Sequence, residues 1–312
     1  MKYTFESKWR KTLRGDGLQN TEEESIFVDV GKEPQTQRQL NLYYYFLFIK
    51  DVLKENGAKD VLELGCGRGT TGLYLAKHEG LTVALLDSVP EAIEIAKKFF
   101  AEHGQRGTFY VSDAIKTGLG GGSFDAVVSI GLAEHFESKD EVVRLFEEER
   151  RLLKPGGVMV SLNIPGKPSI QFLNTWMRFF KKLLGSYKDD LKRDYYRNSL
   201  SPEEYEEASK RAGFTGTYIV HTNPFPFFVP IRVSTDRKAT SLYKFILKCR
   251  ALFQRYPYKT NRFFARSHFL VGYKQYSPSG QSPEGMSELA PPRNSGLRSS
   301  ISPAMRGSTG LY

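Results

Sequence analysis

Short apolar runs alternate with amphipathic stretches along the first half of the chain. The apolar runs predict five strands, at residues 60–64, 81–86, 107–111, 124–130 and 158–162. The stretches between them have the 3.6-residue spacing of helices, at residues 36–56, 70–77, 90–102 and 139–153, with a turn at residues 154–157. Because short buried strands that alternate with helices form parallel sheets covered on both faces, this order predicts a doubly wound α/β fold.

The second half of the chain continues the pattern less regularly. Ser201 and Pro202 have the residue types of an N-cap and a first helical position, and we expect that helix to stop at Gly213. Two runs with alternating polarity, 215–221 and 268–274, predict an antiparallel strand pair. The expected architecture is therefore a mostly parallel seven-stranded sheet with an antiparallel closing pair.

Four segments lie outside this pattern of elements. Residues 165–200 and 223–266 are aromatic, basic and too long for plain connections, so we expect helical lid insertions there. Residues 1–35 are predicted to be a polar N-terminal arm. Residues 276–312 are rich in Ser, Pro and Gly, and we expect them to be a disordered tail. One domain, residues 36–275, remains.

Charge and cysteine content narrow the partners and the compartment. Residues 165–275 hold 21 Lys and Arg against 8 Asp and Glu, within a chain of net charge +10. This excess indicates either an anionic partner, such as a phosphate, a carboxylate, a nucleic acid or an acidic membrane surface, or a solvated basic face. Cys66 and Cys249 are too few for a disulfide framework or a cysteine zinc site, and the first residues form no secretory signal. We therefore expect a cytoplasmic location, with peripheral membrane contact left open.

The segment Glu63-Leu64-Gly65-Cys66-Gly67-Arg68-Gly69 follows the first predicted strand and opens a helix. Glycines let the backbone turn tightly and lie against a ligand without an intervening Cβ. Dinucleotide-binding loops use such glycines too, but their spacing is G-x-G-x-x-G, whereas the spacing here is G-x-G-x-G. A carboxylate at Glu63 also repels a pyrophosphate and suits the ammonium group of a methionine moiety.

Two further acids stand at the ends of the next strands. Asp87 ends the second strand, where a carboxylate can accept both hydroxyls of a ribose. Asp113 follows the third strand, where it can accept the exocyclic amine of an adenine. Either acid alone could be a solvated charge or a helix cap. Together with Glu63 they are expected to meet at the edge where doubly wound sheets bind their ligands.

These motifs resemble those of class I S-adenosylmethionine (SAM)-dependent methyltransferases. The matching segments are residues 63–69, 86–91, 112–114, 124–129 and 153–157. The resemblance is specific across residues 58–164, looser for 201–222 and 267–275, and absent elsewhere. It implies SAM as the methyl donor, with the methionine part near the first two glycines of the loop and residues after strand four lining the methyl-transfer face. The implied cofactor-binding set is Glu63, Gly65, Cys66, Gly67, Gly69, Asp87, Ser88, Asp113, Ala114, Ile130 and Gly131.

The segment after the fourth strand holds the candidate catalytic residues. His135 could accept a hydroxyl proton near neutral pH, with Glu134 beside it. The other interpretation is that both residues order the loop and the following helix start through hydrogen bonds. Some quinone-ring and small-RNA 2′-O-methyltransferases carry Glu-x-x-Glu-His here and bind a divalent metal. Gly131 stands where the first Glu of that motif should be, so we predict no metal.

Three functions remain open from the sequence. The first is methyl transfer to an oxygen or nitrogen atom of an apolar or anionic small molecule, lipid- or saccharide-linked among others. The second is RNA methylation that uses the basic second half as its binding face. The third is a catalytically silent SAM-binding module that acts by interaction. No Asn/Asp-Pro-Pro-aromatic motif follows Ser129, which weighs against methylation of the amino groups of DNA bases. The oligomeric state is not set by the sequence.

Overall fold

Seven strands form one mixed sheet in the computed structural model of the chain, which describes Trp9 and residues 37–164, 198, 200–224 and 265–275. The strands are β1 (Asp60–Leu64), β2 (Thr82–Asp87), β3 (Thr108–Val111), β4 (Phe124–Ile130), β5 (Leu153–Asn163), β6 (Thr215–Pro224) and β7 (Ala265–Tyr273). The helices are α1 (Gln37–Glu55), α2 (Thr70–Glu79), α3 (Pro90–Glu102), α4 (Lys139–Leu152) and α5 (Pro202–Arg211). Most of the predicted lid insertions, most of the predicted arm and the predicted tail lie outside the described residues.

The strands follow the order β3-β2-β1-β4-β5-β7-β6 across the sheet. Strands β1 to β5 are mutually parallel, whereas β7 pairs antiparallel with both β5 and β6. The predicted seven-stranded sheet with an antiparallel closing pair is therefore confirmed. The chain moves outward from β1 to β3 and then returns to β4 on the other side of β1. The loops after β1 and β4 consequently diverge at a switch point, the usual ligand site of such sheets.

Helices cover both faces of the sheet because successive strand residues point to opposite sides. On one face, Val61 and Val128 pack against α1, α2 and α3. On the other face, Leu62 and Val127 pack against α4 and α5. The aromatic rings of Phe48 in α1 and Phe269 in β7 stack with their centroids 4.2 Å apart, which joins α1 to the closing strands. No helix in the described ranges is long and apolar enough to cross a membrane.

Side-chain caps fix where two of these helices begin. Ser201 accepts a hydrogen bond from the backbone of Glu204, which bonds back to it, and Pro202 occupies the first turn of α5. The predicted N-cap and first position of this helix are confirmed. Helix α4 begins with the same reciprocal arrangement between Ser138 and Glu141. Each cap satisfies backbone N–H groups that have no partner within the helix.

The predicted turn at residues 154–157 is wrong, because β5 begins at Leu153 directly after α4. The backbone N–H of Gly156 donates to the carbonyl of Lys274 at 2.8 Å, and the N–H of Lys274 donates to Gly157 at 2.9 Å. These bonds extend the pairing with β7 into the glycine pair. Gly156 adopts a φ of 80°, which a residue with a side chain rarely reaches. Turn-forming composition therefore yields here to pairing with a strand far along the chain.

Candidate active site

The glycine loop between β1 and α2 is bound to the end of β2 through its backbone. The N–H of Cys66 donates to the carbonyl of Leu86 at 3.0 Å, and the N–H of Gly67 donates to Oδ2 of Asp87 at 2.8 Å. Gly65 and Gly67 have φ values of 68° and 56°, which favour glycine strongly. The loop thus turns back over the strand ends, and the Gly67 amide donates to the carboxylate of Asp87, which is predicted to bind a ribose.

Two members of the predicted cofactor set face the protein core. Gly69 caps α2 with a φ of 73°, and a Cβ there would overlap the side chain of Leu85 and lie 3.3 Å from that of Ala96. Gly69 is therefore required for packing α2 and α3 on β2, whether or not a ligand is bound. The thiol of Cys66 is buried in the core on the same face, and burial raises its pKa well above the ordinary value. The side chain of Cys66 therefore contributes to the core rather than to the surface of the loop.

Asp87 is buried at the centre of this site. Its Oδ2 accepts the Gly67 amide, and its Oδ1 accepts the backbone N–H of Val89 at 3.0 Å. A carboxylate can accept about four hydrogen bonds, so these two amides do not exhaust its capacity. The two bonds orient the carboxylate from both sides. Ser88, which lies between Asp87 and Val89 in the sequence, is exposed.

Glu63 is the second buried acid of the site. Its Oε2 accepts the backbone N–H of Gly72 in the first turn of α2 at 2.8 Å, so the carboxyl group faces the start of that helix. Burial, and to a smaller extent the negative charge of Asp87, raise the pKa of Glu63 to about 8, against the lowering effect of the bond from Gly72. Two neighbouring buried acids disfavour each other's ionised forms, and a bound cation relieves this repulsion. The pair therefore favours a positively charged ligand.

The end of β3 contributes the predicted adenine-binding acid. Asp113 is exposed, and its Oδ1 accepts the backbone N–H of Ile115 at 2.7 Å, which orders the loop. Ala114 is half-buried beside it. Val111 pairs in register with Asp87 and has 52% of its surface exposed, although it is a large apolar residue in the sheet. The sequence pattern did not mark Val111, whose apolar side chain lies at the same end of the sheet as Asp87 and Asp113.

The loop after β4 places the candidate catalytic residues differently from each other. Ile130 and Gly131 stand at the strand end, where the Gly131 N–H donates to the Leu162 carbonyl at 2.8 Å. Glu134 and His135 follow in one turn of 3-10 helix, Ala133–His135. Glu134 is completely buried, whereas His135 is only partly buried. Of these two residues, only His135 is partly exposed in this structure.

The alternative, in which Glu134 and His135 order the loop and the helix start through hydrogen bonds, stays a prediction. Helix α4 is capped by Ser138 and Glu141, as described above.

Within the described part of the chain, no three or more His, Cys, Asp and Glu side chains are grouped to hold a metal ion.

Asn198 holds this loop and was not singled out in the sequence. Its backbone N–H donates to the Glu134 carbonyl at 2.7 Å, and its side-chain Nδ2 donates to the carbonyls of Ala133 and Phe136 at 3.0 and 3.1 Å. Its Oδ1 accepts the hydroxyl hydrogen of Tyr205 in α5 at 2.7 Å. Asn198 and Tyr205 are both buried. We call these two residues the loop anchor. No local sequence signal marks the loop anchor, because Asn198 lies more than 60 residues from Ala133 and Phe136, whose carbonyls it binds.

Comparisons with known proteins agree with this geometry. Residues 61–157 match the family model described as a methyltransferase domain. Norajmaline N-methyltransferase of Rauvolfia serpentina is 31% identical over 107 residues, covering 34% of this chain and 36% of that enzyme. Demethylmenaquinone methyltransferase of Thermus thermophilus is 29% identical over 135 residues, covering 43% of this chain and 60% of that enzyme. The chain thus spans less than two thirds of the length of these relatives.

A solved structure extends the likeness to the fold. Phosphoethanolamine N-methyltransferase 2 of Haemonchus contortus, in complex with S-adenosyl-L-methionine, has a TM-score of 0.53 at 20% identity, over 88% of this chain and 60% of that chain. The sheet order, the glycine loop and the family match define the class of the protein. Residues 61–157 thus match a methyltransferase domain, and the chain has the class I, Rossmann-like fold of SAM-dependent methyltransferases.

Proposed function

We propose that this protein transfers the methyl group of SAM to an oxygen or nitrogen atom of an apolar or anionic small molecule. The observation that carries the proposal is the pair of buried acids, Glu63 and Asp87, at the glycine loop. SAM bears positive charge on its sulfonium and on its ammonium group. A site in which burial and mutual repulsion raise the pKa of Glu63 to about 8 gains from a cation. A pyrophosphate would instead add negative charge beside both acids.

The residues present fit SAM in the order that the resemblance implies. Asp87 is oriented by two backbone amides to accept ribose hydroxyls, and Asp113 beside Val111 offers an acceptor and an apolar surface to the adenine. The backbone at Gly65 and Gly67 would accompany the methionine part. When bound, SAM supplies a methyl group on a sulfonium, whose leaving group is neutral. Catalysis can then rest largely on positioning the acceptor beside the methyl group.

His135 is our candidate general base for an acceptor that must lose a proton. Its partial exposure in the turn after β4 supports this role, and the loop anchor holds the turn that carries it. The two relatives are named for norajmaline and demethylmenaquinone, which supports a small-molecule acceptor. The basic excess of residues 165–275 supports an acceptor with an anionic group. The segments proposed to enclose the acceptor lie mostly outside the described residues.

Calorimetric titration with SAM, S-adenosylhomocysteine and NAD tests the donor. We expect SAM to bind and NAD not to bind. In Asp87→Asn the ionised acceptor is lost while one amide-accepting oxygen remains, so SAM affinity should fall by roughly 10- to 100-fold. Asp60→Asn is the matched control, since Asp60 is a part-exposed residue paired with Lys154 at the start of β1, the end of that strand opposite the glycine loop, and it should bind as wild type does. Binding of NAD in preference to SAM would overturn the donor assignment.

Labelled SAM and fractionated cell extract test the acceptor. The small-molecule filtrate should take up label with production of S-adenosylhomocysteine. Label that appears only in RNA, and is lost after ribonuclease treatment, would instead establish the RNA methyltransferase hypothesis. SAM binding without labelled product in any fraction would favour the silent binding module.

A further inference from the structure

Trp9 lies against the glycine loop, although the sequence pattern assigned it to an arm outside the domain. Only 7% of its surface is exposed, and it packs with Val89, Ala92 and Ile95 at the start of α3. A Cβ at Gly67 would lie 2.8 Å from Cζ2 of the indole, so the ring is in direct contact with the backbone of Gly67. The indole therefore fills the side of the loop that a side chain at residue 67 would need.

The contacts of Trp9 coincide with the two ends of the Asp87 cradle. Gly67 and Val89 are the residues whose amides hold the two oxygens of Asp87. Trp9 contacts Gly67 and belongs to the same buried cluster as Val89. The guanidinium carbon of Arg68, within the loop, lies 5.8 Å from the centroid of the Trp9 ring, within the range of a cation–π interaction. One indole thus packs with the glycine loop, with Val89 and with the guanidinium of Arg68.

We propose that Trp9 is a cofactor-binding residue, whose indole forms the outer wall of the ribose-binding part of the SAM site. This inference rests on the proposed function, because it takes SAM as the ligand of Asp87. A ligand held by Asp87 lies beside a large, rigid apolar surface rather than beside water. Excluding water strengthens the hydrogen bonds between the Asp87 carboxylate and the ribose hydroxyls. The wall also contacts the bound ligand, so its loss should weaken binding mainly by raising the dissociation rate.

Fluorescence tests the proposal directly, because the chain contains only two tryptophans, Trp9 and Trp176. In Trp176→Phe, with its SAM affinity measured beside that of the wild type, all tryptophan emission comes from Trp9. Titration with S-adenosylhomocysteine should change the intensity or the wavelength of that emission, saturating at the concentration at which calorimetry shows binding. Emission that does not respond to a ligand bound by the same sample would overturn the proposal.

Substitution of Trp9 itself provides the second measurement. Trp9→Ala should weaken SAM binding by about 10-fold, mainly through faster dissociation, whereas Trp9→Phe keeps an aromatic wall and should lie closer to the wild type. Unfolding of each variant without ligand is measured in parallel. A purely structural role predicts lower stability with unchanged SAM affinity, and a blocking role predicts tighter SAM binding in Trp9→Ala. Either result refutes the proposed role of Trp9 as a wall of the SAM site.

Failure of this inference can be told from failure of the proposed function. If wild type binds SAM and the Trp9 variants bind it equally well, only the role of Trp9 falls. If wild type and Trp9→Ala both bind NAD rather than SAM, the donor assignment falls and the inference falls with it.

Discussion

Replacing Asn198 with alanine removes the side chain that joins the loop after β4 to helix α5. Four hydrogen bonds are lost with it: Nδ2 to the carbonyls of Ala133 and Phe136, and Oδ1 from the Tyr205 hydroxyl and from the Leu200 N–H at 3.3 Å. The backbone bond from Asn198 to the loop does not depend on the side chain. The change therefore tests the anchor without altering the loop sequence itself.

The expected cost follows from burial. A hydrogen bond contributes about 1 kcal/mol net, and a buried polar group that loses its partner costs about 1–3 kcal/mol. Because Asn198 is 4% exposed and Tyr205 is fully buried, we expect Asn198→Ala to lower the free energy of unfolding by about 3–5 kcal/mol. Tyr205→Phe removes one bond and keeps the ring, so its cost should be about 1–1.5 kcal/mol. In the double variant the hydroxyl is absent, so its cost should fall below the sum of the two single costs by about 1–2 kcal/mol.

Equilibrium denaturation in urea, followed by circular dichroism, measures these free energies. Asn56→Ala is the matched control, because Asn56 also donates from Nδ2 to a backbone carbonyl, that of Val52 at 2.8 Å, but at the end of α1 and only part-buried. It should cost less than about 1 kcal/mol. The reasoning fails if Asn198→Ala costs no more than this control, or if the costs of Asn198→Ala and Tyr205→Phe simply add.

Three other changes test the packing and the buried charges. Gly69→Ala should destabilise the fold far more than Gly80→Ala in a thermal melt, because both residues have positive φ but only a Cβ at Gly69 meets a neighbour, Leu85. Glu149 is fully buried, and burial raises its pKa from 4.5 to about 8. The unfolded chain therefore loses this proton first as pH rises, so stability should fall between pH 4.5 and 8 in wild type and less so in Glu149→Gln. Glu148 behaves oppositely: although burial opposes ionisation, its bonds to Arg151 and Thr117 lower its pKa to about 2. The stability it contributes should be present above pH 4.5 and lost as pH falls toward 2, a loss that Glu148→Gln should lack, as pH-dependent urea denaturation can establish.

Glu63 illustrates how far a sequence motif reaches. Its position before the glycine loop indicated an acid at the ligand edge, and the structure places it there. The direction of its carboxyl group, toward the amide of Gly72, depends on where α2 begins relative to β1. Its raised pKa depends on burial by the surrounding core and on the approach of Asp87. Residue type is thus local information, whereas protonation is set by the environment.

The sequence by itself determined the sheet, its closing strand pair, the cofactor loop and the edge at which its acids meet. These features depend on short-range patterns: apolar periodicity, caps such as Ser201, and glycines at fixed spacing. The tertiary structure alone decided the start of β5, the bonds from Asn198 to the loop after β4, and the contact of Trp9 with Gly67. Each of these joins residues far apart in the chain, and no local pattern encodes the distance between two such residues. For the same reason the local motifs of the sequence predict the methyl donor, whereas the residues that hold the loops of the site are identified only in the folded structure.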